Sequence, residues 1–222
     1  MESKRLQKKL LKKRFVIPVL LLLLILAGYV FLFQKSLTVE NANHSIGTGI
    51  IILDGNIQQL TDSGNQKRVI FEVSDFESDF ITEFTDVVIS SDSSHFCFLG
   101  QTPISAPVLY HAPINGSIAT KIAVGAANCV WAPNNKQLAF TNTAKNKEKV
   151  DVFAYDLRTE RVTVLTDNAA QVGTYRVYGA PEWTESSNRL LAPFTEYGIA
   201  DKVLRREGIS QIDISEKKVV DK

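Results

Sequence analysis

The chain is poor in the residues that most often carry chemistry. Of its 222 residues, three are histidine and two are cysteine. His44, His95 and His111 are scattered along the sequence, and there is no G-x-S-x-G, H-E-x-x-H, P-loop or C-x-x-C signature. These absences remove the common routes to nucleophilic, zinc-assisted and phosphate-cradling catalysis. The expectation is therefore a non-enzymatic protein with no catalytic residue, no cofactor and no metal. An acidic run (Asp75, Glu77, Asp79, Glu83, Asp86) lacks the ligand spacing and turn glycine of a calcium loop, and it reads as a solvated loop. A charge excess is missing too: the formal net charge is +1, which does not suggest a nucleic-acid binder. Cys97 and Cys129 each sit in an apolar, strand-like run. A disulfide in an oxidising compartment and a pair of buried thiols both fit that setting.

The near-neutral total conceals an asymmetry. Residues 1–14 hold seven Lys or Arg and one acid, whereas the chain from Gln34 onward holds 18 basic and 23 acidic residues. Between them, Phe15 to Phe33 form 19 consecutive residues without a charge. At ~1.5 Å rise each, a helix of that length reaches about 28 Å, close to the thickness of a bilayer core. A cleaved signal peptide would have a shorter apolar run followed by a small-x-small site, and a buried core helix would rarely be apolar all round. An uncleaved signal anchor fits best. With the basic cluster before the span and only Lys35 close behind it, the N-terminus is expected in the cytoplasm and the rest outside. The lipid bilayer is then one partner of residues 15–33, and 34–46 form a polar linker.

After the linker, a sustained helical stripe is lacking. Runs of four to seven residues rich in Val, Ile, Phe and Tyr alternate with Gly, Asn, Asp, Pro and Ser clusters, as in Gly49–Leu53, His95–Leu99, Gln137–Thr141 and Ile209–Ile214. The best helical candidate is Asp75–Phe84, where Phe76, Phe80 and Phe84 recur every four residues, so a short helix or an excursion between strands is expected there. A strand–turn–strand segment recurs: Val130 to Phe140 is matched from Glu182 to Ala192, and more weakly from Val88 to Phe98, with Ile89 at the Trp131 place. A second hairpin follows each, turning at Asn115-Gly116, after Asp156 and after Asp213. Four strands in about 42–52 residues is the footprint of one propeller blade.

The stretch VWAPNNKQLAF…VDVFAYDLRTERVTVLT resembles the TolB-type, WD-like β-propeller repeat, through Trp131, Pro133, Lys136, Leu138, Ala139, Phe140, Asp156, Leu157, Leu165 and Thr166. Ala132, Asn134-Asn135 and Glu160 depart from the pattern. The second copy matches through Trp183, Leu190, Asp213 and Ile214. The resemblance implies an all-β fold: a partial or degenerate propeller over residues 47–222, with blades near 86–126, 127–177 and 178–222 and a half-blade near 47–61. Trp131, Pro133, Phe140, Asp156, Trp183 and Asp213 are then structural repeat positions, with the two indoles packing between blades. Three and a half blades fall short of the usual minimum of about four. A longer propeller, closure by homo-oligomerisation, or extra strands from Arg68–Phe84 would each resolve the shortfall. The implied function is protein binding or scaffolding at the cell envelope by a membrane-anchored, extracytoplasmic module. The alternative is the propeller portion of an exported prolyl-oligopeptidase-like hydrolase without its catalytic domain.

Overall fold

The computed structural model describes residues 49–60, 67–143, 148–168 and 172–222. The expected anchor and linker, residues 15–46, lie outside them. Among the described residues, no helix is long and apolar enough to cross a membrane.

The described chain is all-β apart from one short 3-10 segment. The first sheet is β1 (Ile50–Leu53), β2 (Asn56–Leu60) and β3 (Lys67–Phe71). The second is β4 (Glu83–Ile89), β5 (His95–Gln101), β6 (Val108–Pro113) and β7 (Thr120–Val124). The third is β8 (Ala126–Trp131), β9 (Gln137–Asn142), β10 (Asp151–Asp156) and β11 (Arg161–Val164). The fourth holds β12 (Thr174–Tyr178), β13 (Glu182–Trp183), β14 (Arg189–Gly198), β15 (Leu204–Asp213) and β16 (Lys218–Asp221). Every pairing inside a sheet is antiparallel and follows chain order, with one departure in the fourth: β12 and β13 pair with successive halves of β14. They act as one inner strand interrupted at Gly179-Ala180-Pro181. That strand starts at Thr174, before residue 178, where the sequence repeat alone would place it. The Asn56–Leu60 hairpin also gains a third strand, β3, beyond the half-blade near 47–61.

The period-2 alternation of each strand explains the stacking. On β5, Phe96 and Phe98 join a core with the first sheet, while Cys97 and Leu99 join a core with the third. On β6, Val108, Tyr110 and Ala112 face the first sheet, and Leu109 faces the third. On β9 and β10, Leu138, Phe140 and Tyr155 belong to the core with the second sheet, whereas Ala139, Val152 and Ala154 meet Leu190, Ala192 and Ile212 of the fourth. The sheets therefore stack face to face in chain order. None of the three cores unites the first sheet with the fourth.

The helical candidate resolves differently from its periodicity. Val73–Asp79 is a 3-10 segment opened by a reciprocal Glu72–Asp75 capping box. It ends at Phe80, whose left-handed backbone (φ 56°) turns the chain into β4. Phe76 is buried and meets Phe71, Phe84, Phe98 and Tyr110 edge-on, but Phe80 is 67% exposed. The acidic run is partly structural, because Asp79 accepts from the Tyr110 hydroxyl at 2.6 Å and from Lys121. Those two donors, Lys121 first, hold the Asp79 carboxyl below its usual range.

The fourth sheet contains a buried guanidinium. Arg176 is bidentate to Asp221 (2.9 and 2.7 Å), donates to Glu196 at 2.9 Å, and lies 4.1 Å over the Phe194 ring. The network runs from β12 through β14 to β16, so the last strand is tied across the whole sheet. The Arg176 hydrogen bond, opposed by burial and aided by Ser210 and Arg206, lowers the Asp221 carboxyl to about 2.

Two outcomes follow. Phe76→Ala should destabilise the domain by roughly 3–5 kcal/mol in chemical denaturation, as for other buried aromatics, whereas Phe80→Ala should stay within about 0.5 kcal/mol, as for exposed sites. Folding lowers the Asp221 pKa, so its stabilisation is complete above the unfolded carboxyl value of about 3.9 and is lost as the pH falls toward about 2. Asp221→Asn should therefore flatten that acid limb of the urea midpoint against pH.

Candidate functional site

The second and third sheets are joined by three kinds of bond. Cys97 on β5 and Cys129 on β8 form a disulfide, with Cα atoms 6.8 Å apart. The Trp131 indole N–H donates to the Val88 carbonyl at 2.9 Å. Ser91 donates through its backbone N–H and its hydroxyl to the Asn135 side-chain carbonyl at 3.0 and 2.9 Å. The last two recur one sheet further on: Trp183 donates to the Val130 carbonyl at 3.2 Å, and the Asn134 N–H donates to the Ser187 hydroxyl at 3.0 Å. Ser93, Asn135 and Ser187 occupy the same turn position, and all three have positive φ. The disulfide has no such counterpart in the next interface.

The repeat residues fall on this frame. Trp131 and Trp183 are half-buried inter-sheet donors. Pro133 is exposed in the β8–β9 turn, and Phe140 is fully buried against Phe153, with ring centroids 5.5 Å apart. Asp156 accepts from the Thr159 N–H and hydroxyl, while Asp213 accepts from Ser215 and Glu216. Each carboxylate closes the turn of its outer hairpin, and these bonds hold both below the usual carboxylate range. These six residues build the sheets and their turns.

A cleft of about 640 Å³ opens between the second and third sheets, at the end where those turns lie. His95 and His111 line it from the second sheet. Asn134, Asn135, Lys136, Gln137, Asp156, Leu157 and Arg158 line it from the third. The two imidazoles are 5.1 Å apart, centre to centre, and His111 lies 6.0 Å from Trp131 and 6.1 Å from Tyr155. Sequence reasoning left these histidines scattered. The register that pairs Cys97 with His111, and His95 with Pro113, brings them onto one face. Alternation about the β5–β6 connection, with His95, Cys97 and Leu99 opposite Leu109 and His111, is the signal that could have found them.

His111 is the unusual member. Both ring nitrogens are buried and neither has a hydrogen-bond partner among the described residues. Burial, with a smaller contribution from His95, lowers its pKa to about 4, so the imidazole is neutral at pH 7. In the register, Cys97 pairs with His111 as Ala139 pairs with Ala154 and Leu191 with Gln211. The position thus takes alanine in the next sheet, and the sheet itself does not require an imidazole there. His95 is satisfied on one side by the Ser94 hydroxyl, 2.8 Å from Nδ1. Among the described residues, no cluster of three or more His, Cys, Asp or Glu is placed to hold a metal ion.

A second surface is the face of the fourth sheet turned away from the third. Ile209 and Val220 there are 47% and 50% exposed, whereas Val152, which takes the Ile209 place in the third sheet, is fully buried.

Replacing Trp131 by Phe keeps an aromatic ring and removes the bond to Val88, at a cost of about 1 kcal/mol. Opening the disulfide, by reduction or by Cys97→Ser with Cys129→Ser, should cost roughly 2–4 kcal/mol. Urea denaturation of the oxidised, reduced and substituted chains measures all three.

No protein-family model matches the sequence, and no curated protein is similar to it. Solved structures are similar in fold. One is from a structural and mechanistic analysis of two prolyl endopeptidases, with TM-score 0.54, 14% identity, and coverage of 75% of this chain and 25% of that one. Another is dipeptidyl peptidase 4 of Porphyromonas gingivalis, with TM-score 0.51, 11% identity, and coverage of 80% and 33%. TolB from Acinetobacter baumannii also matches, with TM-score 0.44, 12% identity, and coverage of 75% and 48%. The chain thus spans half or less of the length of each of these proteins. At such identities the likeness speaks for the fold alone, and that fold, antiparallel sheets stacked face to face in chain order, is a β-propeller module.

Proposed function

We propose that this chain is a membrane-anchored propeller module that binds or scaffolds other proteins outside the membrane. The observation that carries the reading is the cleft between the second and third sheets. It is open at the turn end, carries two exposed cations (Lys136 and Arg158), and is floored by an imidazole with no hydrogen-bond partner among the described residues. A closed, self-satisfied sheet interface would present none of these. The Cys97–Cys129 bridge supports the extracytoplasmic part of the reading, because structural disulfides persist in oxidising compartments. The apolar run from Phe15 to Phe33 and the basic residues before it support the anchor. Holding a binding module at the membrane raises its local concentration against envelope partners.

Three measurements on the full chain in cells test this. The protein should stay in the membrane fraction after alkaline extraction. Its two thiols should resist alkylation until reduced. A photo-crosslinking residue at position 158 should give a discrete protein adduct. Free thiols together with a soluble protein would overturn the placement. A position-158 adduct with an α/β-hydrolase domain that cleaves peptidyl-proline substrates would favour the prolyl-oligopeptidase-like alternative, in which this chain by itself is inactive.

A further inference from the structure

We infer that the cleft between the second and third sheets is a carboxylate site that receives an acidic side chain of a partner protein. The inference rests on the reading of the chain as a binding module, and it names the chemistry of what is bound.

The free hydrogen-bonding capacity of the cleft is lopsided. The Asn135 side-chain oxygen is taken by Ser91, and the Asn134 side-chain oxygen by the Lys136 N–H at 2.9 Å. Their amide NH2 groups, the Lys136 ammonium and the Arg158 guanidinium donate no hydrogen bond within the described residues. The one carboxylate in the lining, Asp156, is committed to Thr159 and Gln137, and it also attracts the Arg158 guanidinium without a hydrogen bond. What remains is a set of donors, two of them cationic, around a concavity. An oxyanion is the ligand that satisfies such a set. A carboxylate on a flexible peptide side chain suits it, because Leu157 in the lining gives the stem apolar contact.

His111 supplies the second, independent line. A polar ring with both nitrogens buried and unpaired costs about 1–3 kcal/mol relative to a satisfied one, and the equivalent place in the third sheet does without it. An unsatisfied group of this kind calls for a partner, either an ordered water or a bound group. A carboxylate entering beside the ring gives it an acceptor. His95 from β5 and Tyr155 from β10 pack against it, and Asp156 from β10, Lys136 from the β8–β9 turn and Arg158 from the β10–β11 turn line the same cleft. Among these, only the incoming anion adds negative charge when the site fills. Occupancy therefore favours the imidazolium, and binding takes up a proton. Affinity should rise as the pH falls.

The test uses the full chain in detergent micelles, with the histidine rings isotopically labelled, and follows their NMR signals during titration. The probes are a capped oligoglutamate peptide, its glutamine counterpart, and glutarate. The expected result is a saturable shift of the His111 signals with oligoglutamate and none with the glutamine peptide. Affinity should be roughly tenfold higher near pH 5.5 than near pH 8, which requires binding to carry the His111 imidazole from about 4 up to about 6.5, the ordinary histidine value. Lys136→Gln with Arg158→Gln, both exposed and harmless to folding, should weaken binding about tenfold or more. His111→Gln, where it folds, should remove the pH dependence. No saturable shift, equal binding of the glutamine peptide, or an affinity indifferent to pH and to the double substitution would each overturn the inference. Binding of glutarate without oligoglutamate would overturn the protein side chain as occupant. Loss of carboxylate binding while the cross-link at position 158 persists would sink this inference and leave the binding-module reading standing.

Discussion

The structure depends on one constraint: a small twisted sheet with two apolar faces has to be covered on both. β5 shows it most directly. Five of its seven residues are buried, with alternate side chains committed to opposite neighbours. A strand of that kind cannot exist in a lone sheet, since one face of Phe or of Cys and Leu would always meet water. The second and third sheets satisfy the constraint completely, each lying between two others. Among the described residues, the first and fourth satisfy it on one side. Much of the remaining architecture follows from this. The inter-sheet tryptophans, the disulfide and the turn-to-turn bonds all run perpendicular to the strands, where no backbone ladder can hold the sheets together.

The fourth sheet adds polar chemistry on the side that meets the third. Asp151, Thr166 and Asn168 make a buried knot at its junction with the third sheet. The Asn168 side chain accepts from the Arg176 N–H at 2.6 Å and donates to the Val150 and Arg176 carbonyls. Burial raises the Asp151 carboxyl against the bonds from Thr166 and Asn168, so this knot tightens position more than it adds stability. Beyond it, burial pulls the Arg176 guanidinium down, while Asp221, Tyr178 and Glu196 more than compensate and keep it charged. Such networks specify one arrangement because a slipped register would leave a buried charge alone.

Sequence and structure agree where the signal is local and repeated. The equivalence of Trp131 and Trp183 is legible as spacing, and it appears in the fold as the same indole-to-carbonyl bond. The turn equivalence of Asn135 and Ser187 is legible too, because small polar residues tolerate the positive φ that the turn demands. Phe76, Phe80 and Phe84 mislead because a four-residue recurrence has the period of a helix. A single 3-10 segment followed by a left-handed residue produces the same spacing with one ring turned outward. Arg176 is illegible for a different reason: a charge in a strand reads as solvent-facing, and its partner Asp221 lies 45 residues away. The His95–His111 pair required the strand register, which a single sequence supplies only through the length of the β5–β6 connection.

That last failure is informative about function. Residues that build a repeat protein recur, so repetition finds them and assigns them to packing. A site for a particular ligand has to break the repeat, since a ligand bound at one interface gains nothing from the same residues at every other. The second-to-third interface departs from its neighbour in two respects: it alone carries a disulfide, and it carries an imidazole where the next sheet has Ala154. The disulfide fixes the spacing of the two sheets beneath the cleft, and a cleft whose walls are fixed loses less entropy when a ligand enters. A disulfide-fixed floor and an unsatisfied buried ring are thus two departures from the repeat at one place, beneath a rim that carries Lys136 and Arg158. Holding the sheets together accounts for the disulfide, whereas the unpaired ring and the unbonded rim donors are what the proposed acidic partner would satisfy.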